Sequence, residues 1–227
     1  APDFSSLTLN DPLPFQMLSN GDTAGLFQLE SHGMRELLRE LSPHSIETLA
    51  AALALYRPGP LESDGPRQYI ERKNGRSSPF PPHPMFESIL KETHGLILYQ
   101  EQVTACASLS GMTAADADDF RVAMSKKNPE SMKRACERFE KALASGGLSP
   151  RESAAVVSQI AAYAGFSFNK SHAVSYAILA YRAAFLKAHY PAAFLASSVN
   201  VHLDDRGQMG EIFSEARRMG IQVLPPD

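Results

Sequence analysis

The 227-residue sequence predicts a mostly α fold: a multi-helix domain with short irregular or strand segments. Three observations carry that expectation. Apolar residues recur at helical spacing, as Met34, Leu37, Leu38 and Leu41 do at i, i+3, i+4 and i+7. Helix-starting devices stand ahead of the periodic stretches: Ser, Thr or Asn, followed by Pro or by an acid in the first turn. Connections between the stretches are of ordinary length, with no internal repeat and no low-complexity tract.

Residues 1–25 are rich in Pro, Asp, Asn and Gly and read as an irregular lead-in with one short helix near Phe15–Leu18. "SHGMRELLREL" (31–41) is an amphipathic helix that Pro43 ends. Ser45 caps the next helix, Ile46–Tyr56, which is almost wholly apolar and so expected to be buried. In "YRPGPLESDGP" two prolines flank Gly59, predicting a helix stop and a fixed turn. The proline-rich loop 75–85 is the expected exposed connection and a possible sub-boundary within a helical domain spanning 26–227. "HGLILYQEQV" predicts a short strand at Leu96–Tyr99, then a helix from about Gln100. Thr113, Asn128-Pro129 and Ser149-Pro150 each start a further helix, the last with Glu152 at N3. "GFSFNKSHAVSYAILAYRAAFLKAHYP" (165–191) supplies a long apolar helix. A last helix spans about 208–219 and ends at Gly220.

Composition narrows the function. Cys106 and Cys136 form neither a disulfide framework nor a metal knuckle, so a reduced, cytoplasmic protein is expected. No apolar run approaches the roughly 18 residues a membrane span needs, and no basic-then-apolar leader opens the chain. The net charge of -3 hides an asymmetry. Residues 92–120 carry five acids and no Lys or Arg, whereas 121–141 carry seven bases against three acids. Residues 166–190 carry three bases and no acid. Such blocks either are solvated helix faces or present a basic face to a polyanion.

The chemistry-bearing constellations are cationic. At the start of the long helix, Asn169, Lys170, Ser171 and His172 combine free N–H groups, the positive dipole end and a lysine, which is the composition of a phosphate cradle. The same residues also fit a plain N-cap with a surface lysine. Arg121, with Lys126 and Lys127 at a helix C-terminus, either satisfies the dipole or contacts phosphates. Arg57, leaving a buried helix at a rigid turn, suits either bidentate anion recognition or a buried ion pair, for instance with Glu101. Phe166, Phe168, Tyr176 and Tyr181 read first as core and second as base-stacking platforms. No carboxylate pair suited to two-metal phosphoryl transfer is visible, nor a Walker loop, a nucleophile elbow or a zinc site.

The motifs "GLFQLES" (25–31), "RPGP" (57–60), "YIERKNG" (69–75), "GLILYQEQV" (95–103), "MSKKNPE" (124–130), "FNKSHAVSYA" (168–177), "LKAHYPAAF" (186–194) and "VLPPD" (223–227) run in one order along nearly the whole chain. Together they resemble the alpha subunits of bacterial DNA polymerase III, the C-family replicative polymerases. The resemblance implies the helical fingers region, with residues 1–25 leading in from the palm. It implies that the Mg2+ of the complete enzyme is bound by palm aspartates that precede this segment, which alone would then be inactive. It implies incoming dNTP and template-primer DNA as ligands, with the remaining polymerase domains and replisome subunits such as the sliding clamp as partners, and no membrane. On that basis Lys170, His172, Ser171, Arg121, Lys126, Arg57 and Tyr176 are nucleotide-side candidates, and Lys127 and Arg182 are DNA-side candidates. Two alternatives stand: a non-catalytic helical module that binds nucleic acid or protein, and an error-prone paralogue. The stretch after "RPGP" resembles the replicative form, although Asp64-Gly65-Pro66 departs from it.

Overall fold

A computed structural model describes residues 7–77, 82–126 and 128–224. Lys127 and part of the predicted 75–85 loop therefore lie outside the described residues. The described chain is mostly helical: α1 (Pro12–Ser19), α2 (His32–Leu41), α3 (Ile46–Leu55), α4 (Pro58–Glu62), α5 (Gly65–Lys73), α6 (Glu87–Leu90) and α7 (Gln100–Leu109). There follow α8 (Ala114–Lys126), α9 (Pro129–Ser145), α10 (Pro150–Ala164), α11 (Lys170–His189), α12 (Pro191–Val201) and α13 (Arg206–Arg218). Two compact units emerge: one from Ala1–Ala52 with Val174–Asp227, the other from Leu53–Ala173. No helix of the described residues is long and apolar enough to cross a membrane.

Local sequence explains most of these starts. Ser31 accepts from the Met34 amide, and α2 buries the four periodic residues Met34, Leu37, Leu38 and Leu41. Ser149 and Glu152 form the reciprocal capping box at α10: the Ser149 amide donates to Glu152 at 2.9 Å, and the Glu152 amide to Ser149 Oγ at 3.3 Å. Thr113 and Asn128 cap α8 and α9 without the reciprocal bond, accepting from the Asp116 and Ser131 amides. Three helices depart from expectation. "RPGP" does not merely stop a helix: Pro58 occupies the first turn of α4, and α5 follows at once. Pro191 likewise opens α12 rather than only closing α11. In each case proline, which lacks an N–H, sits where that donor would have had no partner. The strand expected at Leu96–Tyr99 is also corrected. This passage is buried and extended, but among the described residues it has only one isolated parallel bridge, Tyr99 with Phe168.

The unit Leu53–Ala173 centres on α7–α10. Val103, Cys106, Phe120, Phe139, Leu143, Val156 and Ile160 form its core with Phe86 and Leu90, and the Phe120 and Phe139 rings lie 4.8 Å apart. Cys106 is buried there, and burial pushes its thiol up to about 12, so it behaves as an apolar core residue.

The other unit is organised around a buried charge. Lys187, on α11, is fully buried. Its ammonium donates to the Asp22 carbonyl at 2.9 Å, the Ala24 carbonyl at 2.8 Å and Glu215 of α13 at 2.6 Å. Arg218 also binds Glu215, at 2.8 Å, and pairs with Asp22. Burial alone would raise the Glu215 pKa, but hydrogen bonds from Arg218 and Lys187 outweigh it and hold the carboxyl at about 2. Nearby, Tyr181 packs its ring on Phe15 at 4.9 Å and donates to the Thr8 carbonyl. Removing one partner of a buried ion pair strands the other. Lys187→Met should therefore destabilise the fold by about 3–5 kcal/mol in chemical denaturation. The pair's own pH dependence follows from the lowered Glu215 pKa: its contribution is intact above pH 4.5 and fades as pH falls toward 2. Glu215→Gln should flatten that acid limb of the stability curve.

Candidate functional site

The site is built on the passage Thr93–Gln102. His94 and Gly95 both take left-handed backbone, with φ 53° and 79°, and turn the chain inward. Thr93 Oγ1 then donates to the Leu96 carbonyl at 2.6 Å. The carboxamide of Gln102 is buried below this passage. Its oxygen accepts from the Leu98 and Tyr99 amides at 2.9 and 3.0 Å, and its nitrogen donates to Thr93 Oγ1 at 2.8 Å. One side chain thus satisfies two buried amides that an unpaired extended segment would leave without partners. It also aims Gln100 and Glu101, in the first turn of α7, toward the 165–172 turn.

That turn is clipped to the passage through Phe168. The Phe168 amide donates to the Leu98 carbonyl at 2.9 Å, and the Gln100 amide to the Phe168 carbonyl at 2.8 Å. The "RPGP" turn closes the other side. Arg57 donates from Nε to the Ala54 carbonyl at 3.0 Å and from Nη2 to the Phe166 carbonyl at 2.8 Å. Its guanidinium lies 4.1 Å from the centroid of the Phe168 ring. Phe166 in turn packs its ring against Gly59, where a Cβ would sit 2.3 Å from Phe166 Cδ1. The glycine of "RPGP" is therefore a matter of space, not of unusual φ. The expected alternative, Arg57 paired with Glu101, is corrected: Arg57 uses carbonyls and a ring, and Glu101 is engaged elsewhere.

At the start of α11, Asn169 Oδ1 accepts from the His172 amide at 2.8 Å, the ordinary cap. The carboxylate of Glu101 accepts from the Lys170 amide at 3.0 and 3.1 Å. Lys170 Nζ is held by Glu92 at 2.7 Å and lies 5.6 Å from the Tyr99 ring centroid. The absence of acids from 166–190 is thus a property of the sequence and not of the site. Two carboxylates arrive from 69 and 78 residues away and occupy the positions an external anion would take. No other signal in the local sequence announces them, although Glu101 beside the cap-forming Gln102 is a first-turn acid of α7.

The remaining candidates divide. Arg121 adjoins this site: it pairs with Asp118 at 2.8 Å and reaches Gln100 Oε1 at 3.5 Å. His172 is exposed with its ring edge-on to Phe168 at 5.3 Å, and Ser171 is exposed beside it. Lys126 lines a different feature, an open cleft of about 580 Å³ between α8 and α9 with Arg134, Arg138 and Lys141. Tyr176 and Arg182 belong to the other unit, where Tyr176 faces Phe27 at 6.4 Å between ring centroids and Arg182 is half-buried. Lys127 lies outside the described residues. No group of three or more His, Cys, Asp or Glu among the described residues is placed to hold a metal ion.

Gly59→Ala should push Phe166 off its seat and destabilise the protein by about 1–3 kcal/mol, the usual range for overpacking, measured by thermal or chemical unfolding. A stability equal to wild type would show that Phe166 is not held there.

Comparison with known proteins gives a consistent picture. Residues 2–147 match the family described as the bacterial DNA polymerase III alpha subunit finger domain. Across 99% of its length the chain is 41% identical to the DNA polymerase III subunit alpha of Aquifex aeolicus, 39% to that of Buchnera aphidicola and 38% to that of Escherichia coli K12. It spans about a fifth of the length of these relatives. Lys170 and His172 fall beyond the family match but within the stretch shared with the relatives.

Proposed function

Since the chain belongs to the finger-domain family of the bacterial DNA polymerase III alpha subunit, we propose that it binds the incoming dNTP and template-primer DNA in template-directed DNA synthesis. The observation that carries this reading is that two cations, Lys170 and Arg121, are brought to one turn that a third, Arg57, holds in place. Arg57, Lys170 and Arg121 come from separate parts of the chain, and all are joined to the 166–172 turn or to the Gln100-Glu101 step that grips it. The triphosphate is seated at the start of α11, with Lys170, Ser171 and His172 facing it and Arg121 alongside. Fixed cations and a helix N-terminus there stabilise the charge that develops on the leaving pyrophosphate.

Glu92 and Glu101 hold these groups when no nucleotide is bound. Lys170 and Glu92 are each about two-fifths exposed. Exposed pairs of this kind contribute only about 0–1 kcal/mol. A triphosphate carries several charges and outcompetes such a pair. Lys126 we assign to DNA rather than to the nucleotide, because four bases, Lys126, Arg134, Arg138 and Lys141, line its cleft against two acids, Asp119 and Glu137, a surplus suited to backbone phosphates. In the same proposal Mg2+ is held by carboxylates outside these residues, the remaining polymerase domains and replisome subunits are the partners, and the setting is the cytoplasm.

In the full-length polymerase, Lys170→Ala should lower kcat/KM for nucleotide by at least about tenfold, or roughly 1.4 kcal/mol, with thermal stability nearly unchanged. Single-nucleotide incorporation at wild-type efficiency would sink the triphosphate assignment. The 227 residues alone, supplied with magnesium, primed template and dNTPs, should give no primer extension; extension by the pure protein would overturn the division of labour.

A further inference from the structure

We propose that Arg57 is a positioning residue for nucleotide addition: it sets the 166–172 turn, and through it the start of α11, without itself touching the triphosphate. The inference rests on the reading of that helix start as the triphosphate seat.

The geometry argues against a direct ligand. Two arms of the guanidinium end on carbonyls, Ala54 at 3.0 Å and Phe166 at 2.8 Å, and its face is covered by the Phe168 ring at 4.1 Å. These contacts join the last turn of α3 to a segment 109 residues later. Gly59, two residues on, receives the Phe166 ring at a distance no side chain would permit. Arg57 and Gly59 therefore each seat one of two aromatic residues of one turn, Phe168 and Phe166. Phe168 is also hydrogen-bonded through both its amide and its carbonyl, to Leu98 and Gln100. Lys170 begins α11 two residues later. A turn held through both its side chains and its backbone has little freedom, and the cation and amides that follow it inherit its position.

Lysine at position 57 would keep the charge but lose the planar fork that binds two carbonyls while stacking on a ring. Misplacement of a binding group by about 1 Å can lower a rate by on the order of a hundredfold.

The test uses the full-length polymerase with Arg57→Lys, Arg57→Met, Lys170→Ala and the double variant Arg57→Lys/Lys170→Ala. Single-nucleotide incorporation, binding of primed DNA and hydrogen exchange of the peptide covering 166–172 are measured for each. We expect Arg57→Lys to lower kcat/KM for nucleotide by roughly 10- to 100-fold, to leave DNA affinity within about twofold, and to speed exchange at Phe168 and Lys170. On top of Lys170→Ala it should cost less than about threefold more, because both changes act on one seat. Losses that multiply in the double variant would overturn the proposal, since they would make Arg57 an independent ligand. Wild-type exchange across 166–172 in Arg57→Lys would overturn it as well. A silent Lys170→Ala is a separate result: it removes the triphosphate reading, and this proposal with it. Arg57→Met with intact folding but the efficiency of wild type would equally defeat it.

Discussion

The peptide unit at Phe168 is the constraint on which the candidate site depends. Its amide and carbonyl reach Leu98 and Gln100, and these two links are the nearest thing to a sheet among the described residues. They work because the Thr93–Gln102 passage is itself rigid, with Gln102 supplying from a side chain the acceptors that a neighbouring strand would otherwise supply. A single buried carboxamide is a high-stakes solution, since every partner it satisfies would be left stranded together. Its benefit is economy of space: a one-residue bridge allows a helix start, a helix end and a proline turn to meet within a few ångströms.

Charge at this site is arranged by three-dimensional exchange rather than by exclusion. The start of α11 is a natural anion seat, and the protein fills it with Glu101 while Glu92 holds the lysine. Neither contact is buried deeply enough to be strong. Contrast Lys187 and Glu215, where burial makes a pair of the same chemical type a fixed structural element. Depth, together with the Asp22 and Ala24 carbonyls and Arg218, separates the Lys187–Glu215 pair from the exposed Lys170–Glu92 pair at the other end of α11.

Much of this was legible in the sequence, and the divide follows contact range. Caps at Ser45, Thr113 and Ser149 are local, since each side chain meets an amide three residues on, so composition reveals them. The amphipathic face of α2 is local in the same sense. Proline was legible as punctuation but not in its sense: at 58 and 191 it opens a helix, and the choice between stop and start depends on what packs next. The burial of Lys187 and the arrival of Glu92 and Glu101 were not legible, because those partners lie dozens of residues away. The same limit hid the Phe166 ring that makes Gly59 necessary. The resemblance of whole motifs pointed to the right family while leaving open which residue of each motif binds a ligand and which holds another motif in place.

The split composition of the first unit has a consequence for the order in which the protein acquires structure. Lys187 bonds carbonyls 165 and 163 residues upstream, so this core cannot close until Lys187 itself has left the ribosome. The continuous unit, Leu53–Ala173, has no such wait. At synthesis rates of about 5–20 residues per second, α1 and α2 spend several seconds or more with their apolar faces uncovered while the later unit is translated. The long loop they must close carries an entropic cost that local helical contacts escape.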